Sequence, residues 1–190
     1  PQIHTHFTNQ SPTHLTMKLT LTTPEMLDLW RLHHAFSPPL ADAVFRRNDG
    51  LDSDALFTVE MNLWYRRLLL EASPSMLAPR SLDLPLPPVQ DGATVLTLPA
   101  GVVRVVRVRL ASWLRPAVVV TDPASALLER QRHPFTRATT SSPLAFFYGG
   151  SLRLYPAATG SDSLARLDCI VCEDGVYEFD DSALATLHPE

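Results

Sequence analysis

Two consecutive glycines, Gly149-Gly150, separate Leu144-Ala-Phe-Phe-Tyr148 from Ser151-Leu-Arg-Leu-Tyr155, and this stretch constrains the fold more than any other. Glycine tolerates the positive φ angles of a two-residue hairpin turn, so the flanking segments read as paired antiparallel strands. The turn sets the register: Tyr148 opposite Ser151, Phe147 opposite Leu152, Phe146 opposite Arg153 and Ala145 opposite Leu154. Strand side chains alternate between faces, so Ala145, Phe147, Leu152 and Leu154 share an apolar face. The reverse face carries Leu144, Phe146, Tyr148, Arg153 and Tyr155. It is too aromatic for a surface that meets only water, and is expected to pack against helices or another subunit.

The hairpin belongs to a run of strand-like segments from Thr94 to Cys172. Val95, Leu96 and Leu98 begin a strand that Pro99-Ala-Gly101 stops, and Val102 to Leu110 forms the next. In that second strand Val106, Val108 and Leu110 are expected on one face, Arg107 and Arg109 on the other. After a β-branched run, Pro116 to Thr121, Asp122-Pro123 is expected to cap a short helix from Ala124 to Arg132. His133-Pro134 ends it, and the polar Thr136 to Ser142 stretch reads as an exposed loop of the kind that meets partners. Leu164 to Cys172 alternates again. Ala165, Leu167, Cys169 and Val171 face one way; Arg166, Asp168, Ile170 and Cys172 face the other. Cys169 and Cys172 have redox or zinc spacing, but their sulfurs fall on opposite faces and no second pair exists, so both read as structural. Val176 to Phe179 follows, and Asp180-Asp181-Ser182 caps a last short helix, Ala183 to His188.

The N-terminal half reads as helical. Residues 1–16, with His4, His6 and His14, form a polar, aperiodic flexible arm, or an extension upstream of a natural start at Met17. Thr22-Thr23-Pro24-Glu25 is a helix-start signal, and Met26, Leu27, Trp30, His33 and His34 follow at helical spacing. Ser37-Pro38-Pro39 breaks the helix, Leu40 to Arg47 resumes it briefly, and Asn48-Asp49-Gly50 turns the chain. Asp52 or Ser53 then caps a long helix, Asp54 to Ala72, with an expected stripe of Leu56, Val59, Glu60, Leu63, Trp64, Arg67, Leu68 and Leu70-Glu71. A short turn between two helices favours an antiparallel pair. Ser73 to Gln90 holds five prolines and reads as an extended connector across the helices toward the sheet.

The expected fold is therefore α+β: an N-terminal antiparallel helix pair on a mostly antiparallel β-sandwich or barrel-like sheet with one short inserted helix. In domain terms this gives the arm at 1–16, a helical part with proline-rich connector at 17–90, and a β domain at 91–190. The last two are expected to form one structural unit.

A formal net charge of −4 argues against a general nucleic-acid binder. No apolar run approaches the roughly 20 residues that cross a bilayer, so no membrane partner is expected. Two cysteines build no disulfide framework, which fits a cytosolic protein. The chain lacks a Gly-rich phosphate loop, a strand-turn nucleophilic serine and a His-Glu metal motif. Asp42, Glu60, Glu129, Asp168 and Glu173 are scattered acids with no motif to join them. No catalytic residue, cofactor or metal is assigned, and the expectation is a non-enzyme.

The order of segments carries a resemblance. An amphipathic helical start and a proline-rich crossing precede Leu98-Pro99-Ala-Gly-Val-Val-Arg104-Val-Val-Arg-Val108. A short helix follows, then Phe146-Phe-Tyr-Gly-Gly-Ser-Leu152-Arg-Leu-Tyr-Pro156 and a strand at Leu167 to Val171. Over about Met17 to Leu187 this layout resembles the neck proteins of tailed bacteriophages: the head-to-tail connector, adaptor and tail-tubular families. The chain lacks the long C-terminal helical region of tail-tubular members, so a smaller connector or a prophage-encoded relative is the expected form. The resemblance implies a structural virion protein, assembled in the host cytoplasm as a homo-oligomeric ring. Its partners would be further copies, a portal, or other connector and tail proteins, with DNA at most passing through a channel. Trp30 and Trp64 would dock with a neighbour or the portal. Arg107 and Arg109, or the 136–142 loop, would meet a subunit or the channel, and Phe146, Tyr148, Arg153 and Tyr155 would line the interface. The alternative is a host-cell α+β binding module with Phe146, Tyr148 and Tyr155 as a pocket wall. A hydrolase without a recognisable motif ranks below both.

Overall fold

The first helix begins at Thr23, directly after Thr22, whose amide and hydroxyl donate to the Glu25 carboxylate at 2.8 Å and 2.7 Å. These bonds satisfy a donor that the opening turn would otherwise leave free. The computed structural model describes residues 17–35 and 53–187. The arm with its three histidines, the expected helix at 40–47, the turn at 48–50, Asp42 and His188 lie outside the described residues.

Ten strands and three α-helices follow one another along the described chain, an α+β fold. They are β1 (Lys18–Thr22), α1 (Thr23–Ala35), α2 (Ser53–Glu71), β2 (Arg80–Ser81), β3 (Val89–Gln90), β4 (Ala93–Thr97) and β5 (Val102–Leu110). Then come β6 (Val118–Val120), α3 (Ala126–Glu129), β7 (Leu144–Tyr148), β8 (Ser151–Tyr155), β9 (Leu164–Val171) and β10 (Val176–Asp180). The strands form a pair, β1-β10, a three-stranded sheet, β2-β9-β5, and a five-stranded sheet, β3-β4-β8-β7-β6. Every pairing is antiparallel except β6 with β7.

The hairpin has the register its turn dictates, from Tyr148 opposite Ser151 to Ala145 opposite Leu154, with both glycines at positive φ. Ala145, Leu152 and Leu154 are fully enclosed, and Phe147 packs beside them. Their cluster also takes Leu96 and Leu98, and Val105, Val108, Leu110, Leu167 and Cys169 from the three-stranded sheet. A second cluster gathers Met26, Trp30, Met61, Tyr65, Leu68, Leu69, Ile170, Tyr177 and Phe179. Strand β9 divides the two: Leu167 and Cys169 enter the first, Ile170 enters the second, and Cys172, just past the strand, packs against the second. The alternation expected of β9 thus sends the two cysteines into different clusters.

Several local expectations are corrected. Lys18–Thr22, where the helix-start signal at Thr22 gave no hint of sheet, is a strand; its partner β10 lies far along the chain, so no nearby pattern reveals it. In α2 the enclosed residues are Met61, Tyr65, Leu68 and Leu69, whereas Leu56, Val59, Leu63 and Leu70 are exposed. This helix is apolar on more than one side, and periodicity alone does not choose which side faces the core. In β5 a register shift between Val105 and Arg107 parts Val106 from Val108: Val106 joins the helical cluster and Val108 the hairpin cluster. Such a bulge inserts a residue and re-aims those beyond it.

The α3 cap is Ser125, whose hydroxyl accepts from the Leu127 amide, and only Ala126–Glu129 is α-helical before a 3₁₀ turn at Arg130–Arg132. Asp122 instead accepts from the Ala124 amide one turn earlier. The last helix, Asp181–Leu187, is 3₁₀, and the Asp180 carboxylate accepts from the Ser182 amide and hydroxyl. The proline-rich connector does not simply cross the helices. Arg80–Ser81 pairs with β9, and Leu82, Leu84 and Leu86 pack on the hairpin cluster.

Candidate functional site

Leu144, Phe146, Tyr148, Arg153 and Tyr155 occupy the face of the hairpin opposite Ala145, Phe147, Leu152 and Leu154, and none of them belongs to either core cluster. Cover along this face is graded. Leu144 is enclosed, Phe146 and Tyr155 are half-buried, Arg153 is exposed, and Tyr148 retains 62% of its surface. The Phe146 and Tyr148 rings stack with centroids 6.0 Å apart and planes 5° from parallel. Alternate residues of one strand present these rings side by side, so a sheet rather than a loop fixes their spacing. Arg153 stands opposite Phe146 and Val95 opposite Arg153, extending the row across three strands.

The three-stranded sheet carries a second surface feature. Arg107 faces Asp168 across the β5–β9 pair and Arg109 faces Arg166, with Arg107, Arg109 and Arg166 all exposed. Asp168 is 6% exposed between them, accepting from the Ser81 hydroxyl at 2.7 Å and Arg166 Nε at 2.6 Å. Burial raises its pKa, but those hydrogen bonds and the charges of Arg166 and Arg107 outweigh burial and hold it below the ordinary carboxylate value. A carboxylate so engaged anchors arginines and is poorly placed to move protons.

The tryptophans lie elsewhere. Trp30 is 5% exposed and packs in the helical cluster with its ring centroid 5.9 Å from that of Trp64, so it offers a neighbour no surface. Trp64 is half-buried; its Nε1 donates to Thr186 Oγ1 at 3.1 Å and its ring meets Phe179 edge-on. Its open side forms a shallow hollow of about 240 Å³ with Arg67, Glu71 and Thr186. The structure therefore groups Phe146, Tyr148, Arg153 and Tyr155 on one sheet face, Arg107 and Arg109 on another sheet, and the tryptophans among the helices.

A larger hollow, about 630 Å³, opens where α2 meets the turn between β9 and β10. Its lining includes Tyr65, Arg66, Leu69, Cys172, Glu173, Asp174 and Tyr177. Tyr65 accepts from the Glu178 amide at 3.0 Å, Tyr177 donates to Asn62 at 2.6 Å, and the two rings lie 4.8 Å apart. Burial pushes the Tyr65 hydroxyl up to about 12, so it stays protonated at neutral pH. Glu173 and Glu178 both bind Arg80, which holds Glu173 below the ordinary value. Asp168 and Glu173 are thus tied to different arginines. Among the described residues no three His, Cys, Asp or Glu side chains gather to hold a metal, and no helix is long and apolar enough to cross a membrane.

Residue patterns alone missed this hollow, the exposed leucines of α2, and Phe135 at the tip of the β6–β7 connection. Phe135 was the most legible of these, as an aromatic between Pro134 and Thr136 in an otherwise polar, arginine-rich stretch. No model of a known protein family and no curated protein matches the chain.

Proposed function

We propose that this chain is a structural virion protein of a tailed bacteriophage or prophage, forming a homo-oligomeric ring in the head-to-tail connector. The observation that carries the proposal is the outer face of the hairpin. A rigid sheet presents stacked Phe146 and Tyr148 with Arg153 beside them, and the open end of that row has no cover from its own core clusters. Aromatic and arginine side chains on a fixed frame are the residue types that dominate interface energetics.

The segment order that resembles phage neck proteins supplies the architecture of the proposal. On this reading α1 and α2 form an antiparallel pair, supported by the Arg31–Asp54 ion pair between the later part of α1 and the first turn of α2. The two larger sheets then act as a sandwich around the hairpin cluster, which draws residues from both. Arg107, Arg109 and Arg166 face a neighbouring subunit or the DNA channel. No catalytic role is part of the proposal, and the pocket-wall alternative gains no support from the hollows described above, whose walls are other residues. Light scattering on the protein alone and mixed with a portal protein tests the reading. A mass that is a multiple of one chain, or a stable complex with the portal, supports it. A monomer that ignores the portal overturns it.

A further inference from the structure

Strands β5 and β9 set like charges against each other. Arg109 stands directly opposite Arg166, and on the same face the neighbouring pair is Arg107 with Asp168. Residues paired in this way lie about 5 Å apart at Cα, and like charges so placed weaken a sheet. Asp168 does not cancel them. It is 6% exposed, with the Ser81 hydroxyl on one carboxylate oxygen and Arg166 Nε on the other, and Arg107 acts on it only as a nearby charge. Three guanidinium groups therefore share a face with one carboxylate whose two oxygens are both engaged.

Other arginines are taken up by the fold: Arg80 binds Glu173 and Glu178, and Arg104 binds the Leu70 and Ala72 carbonyls. Arg107 and Arg109 make no hydrogen bond or close ion pair among the described residues, and both are exposed, as is Arg166. Arg166 spends its Nε on Asp168, so its two terminal nitrogens remain for another partner. Alternate strand positions place Arg107 and Arg109 about 7 Å apart on one side, with Arg166 across from Arg109, so three long side chains reach a common point above the sheet. Asp83, two residues beyond Ser81, is exposed and forms no ion pair, and even counting it the patch keeps a positive excess. A phosphate group brings three acceptor oxygens and close to two negative charges, enough to engage three guanidinium forks at once. A carboxylate has two oxygens and one charge, and Asp168 engages only one arginine closely.

We propose that Arg107, Arg109 and Arg166 form a binding site for a phosphate group, with Asp168 and Ser81 holding Arg166 in place. The site is complete on one chain, so it stands or falls separately from the proposed ring. A nucleic-acid backbone and a small phosphorylated molecule share this chemistry, and the test has an arm for each.

Isothermal titration calorimetry with inorganic phosphate and fluorescence anisotropy with a short labelled DNA duplex would be run on the wild type, an Arg107→Gln, Arg109→Gln double variant and Arg137→Gln, an exposed arginine elsewhere. Arg107 and Arg109 hydrogen-bond to nothing, so circular dichroism should show the double variant folded. Saturable binding in at least one arm is expected, weakened at least about 10-fold in the double variant and unchanged in Arg137→Gln. If the duplex binds, three contacts limit the slope of log K against log salt to about −3, and a response to phosphate alone identifies a small phosphorylated ligand. No saturable binding in either arm, or an equal loss in Arg137→Gln, overturns the site. A double variant that loses self-association while neither probe binds the wild type also overturns it, since the arginines would then meet acids of another copy.

Discussion

Replacing Gly101 by alanine probes how the β4–β5 turn is locked to the end of β9. Gly101 has φ +89°, and a Cβ added there would stand 2.7 Å from the Cys172 carbonyl oxygen. That oxygen cannot step aside freely, because the Cys172 amide donates to the Gly101 carbonyl at 2.8 Å and fixes the two backbones together. The left-handed conformation alone costs an L-residue roughly 1–2 kcal/mol. Relieving the clash by shifting backbone adds about 1–3 kcal/mol, the usual range for overpacking. Gly149 and Gly150 supply the control: both have positive φ, yet an added Cβ meets nothing within 4 Å, so only the conformational part applies. Urea unfolding should place Gly101→Ala at least about 1 kcal/mol below Gly150→Ala, a difference of about 2–4 °C in Tm for a chain of this size. Equal losses for the two variants would refute the close approach.

Other predictions follow from single contacts. Arg104 donates to the Leu70 carbonyl at 2.7 Å and the Ala72 carbonyl at 2.9 Å, closing the C-terminal end of α2. Arg104→Met should cost about 1–2 kcal/mol in urea unfolding and increase hydrogen exchange in the last turn of α2 first. Asp168 has a folded pKa below its unfolded value of about 3.9, so its contribution is present above that pH and is lost as pH falls through the folded value. Asp168→Asn should therefore destabilise at neutral pH and flatten the acid limb of stability against pH; an unchanged acid limb would show that the Ser81 and Arg166 bonds carry little. Burial raises both thiols, that of Cys169 to about 11, but Cys169 is fully enclosed whereas Cys172 is half-buried beside the larger hollow. A disulfide reagent should label Cys172 in the native protein and Cys169 only on unfolding, and equal rates would contradict their separation into two clusters.

The pairing and register of the hairpin were legible because the Gly149-Gly150 turn fixes both within a few residues. The β9 alternation, which parts Cys169 from Cys172, was legible for the same reason: a period of two needs no distant partner. What the sequence concealed depended on distant segments. Strand β1 exists because β10 pairs with it, and β2 because Arg80 and Ser81 meet β9. The buried side of α2 is chosen by what packs on it, since Leu56 and Leu63 are as apolar as Leu68 and Leu69. In β5 one bulge sends Val106 to a different cluster from Val108, and nothing in the Val-Arg repeat marks where it falls. Of the residues expected at an interface, the hairpin group sits together on one face, Arg107 and Arg109 form a separate patch with Arg166, and Trp30 is core. Phe135 needed the structure to show that its ring is open.

Sedimentation velocity on the wild-type protein and a Phe146→Ser, Tyr148→Ser double variant tests the assembly claim most directly. Neither side chain belongs to a core cluster, so circular dichroism should show the variant folded. The account predicts a wild-type species at a multiple of 21.1 kDa and a variant at the mass of one chain. A wild-type protein that remains at one chain's mass at every concentration, alone and with a portal protein, or a variant that assembles as well as the wild type, would contradict it.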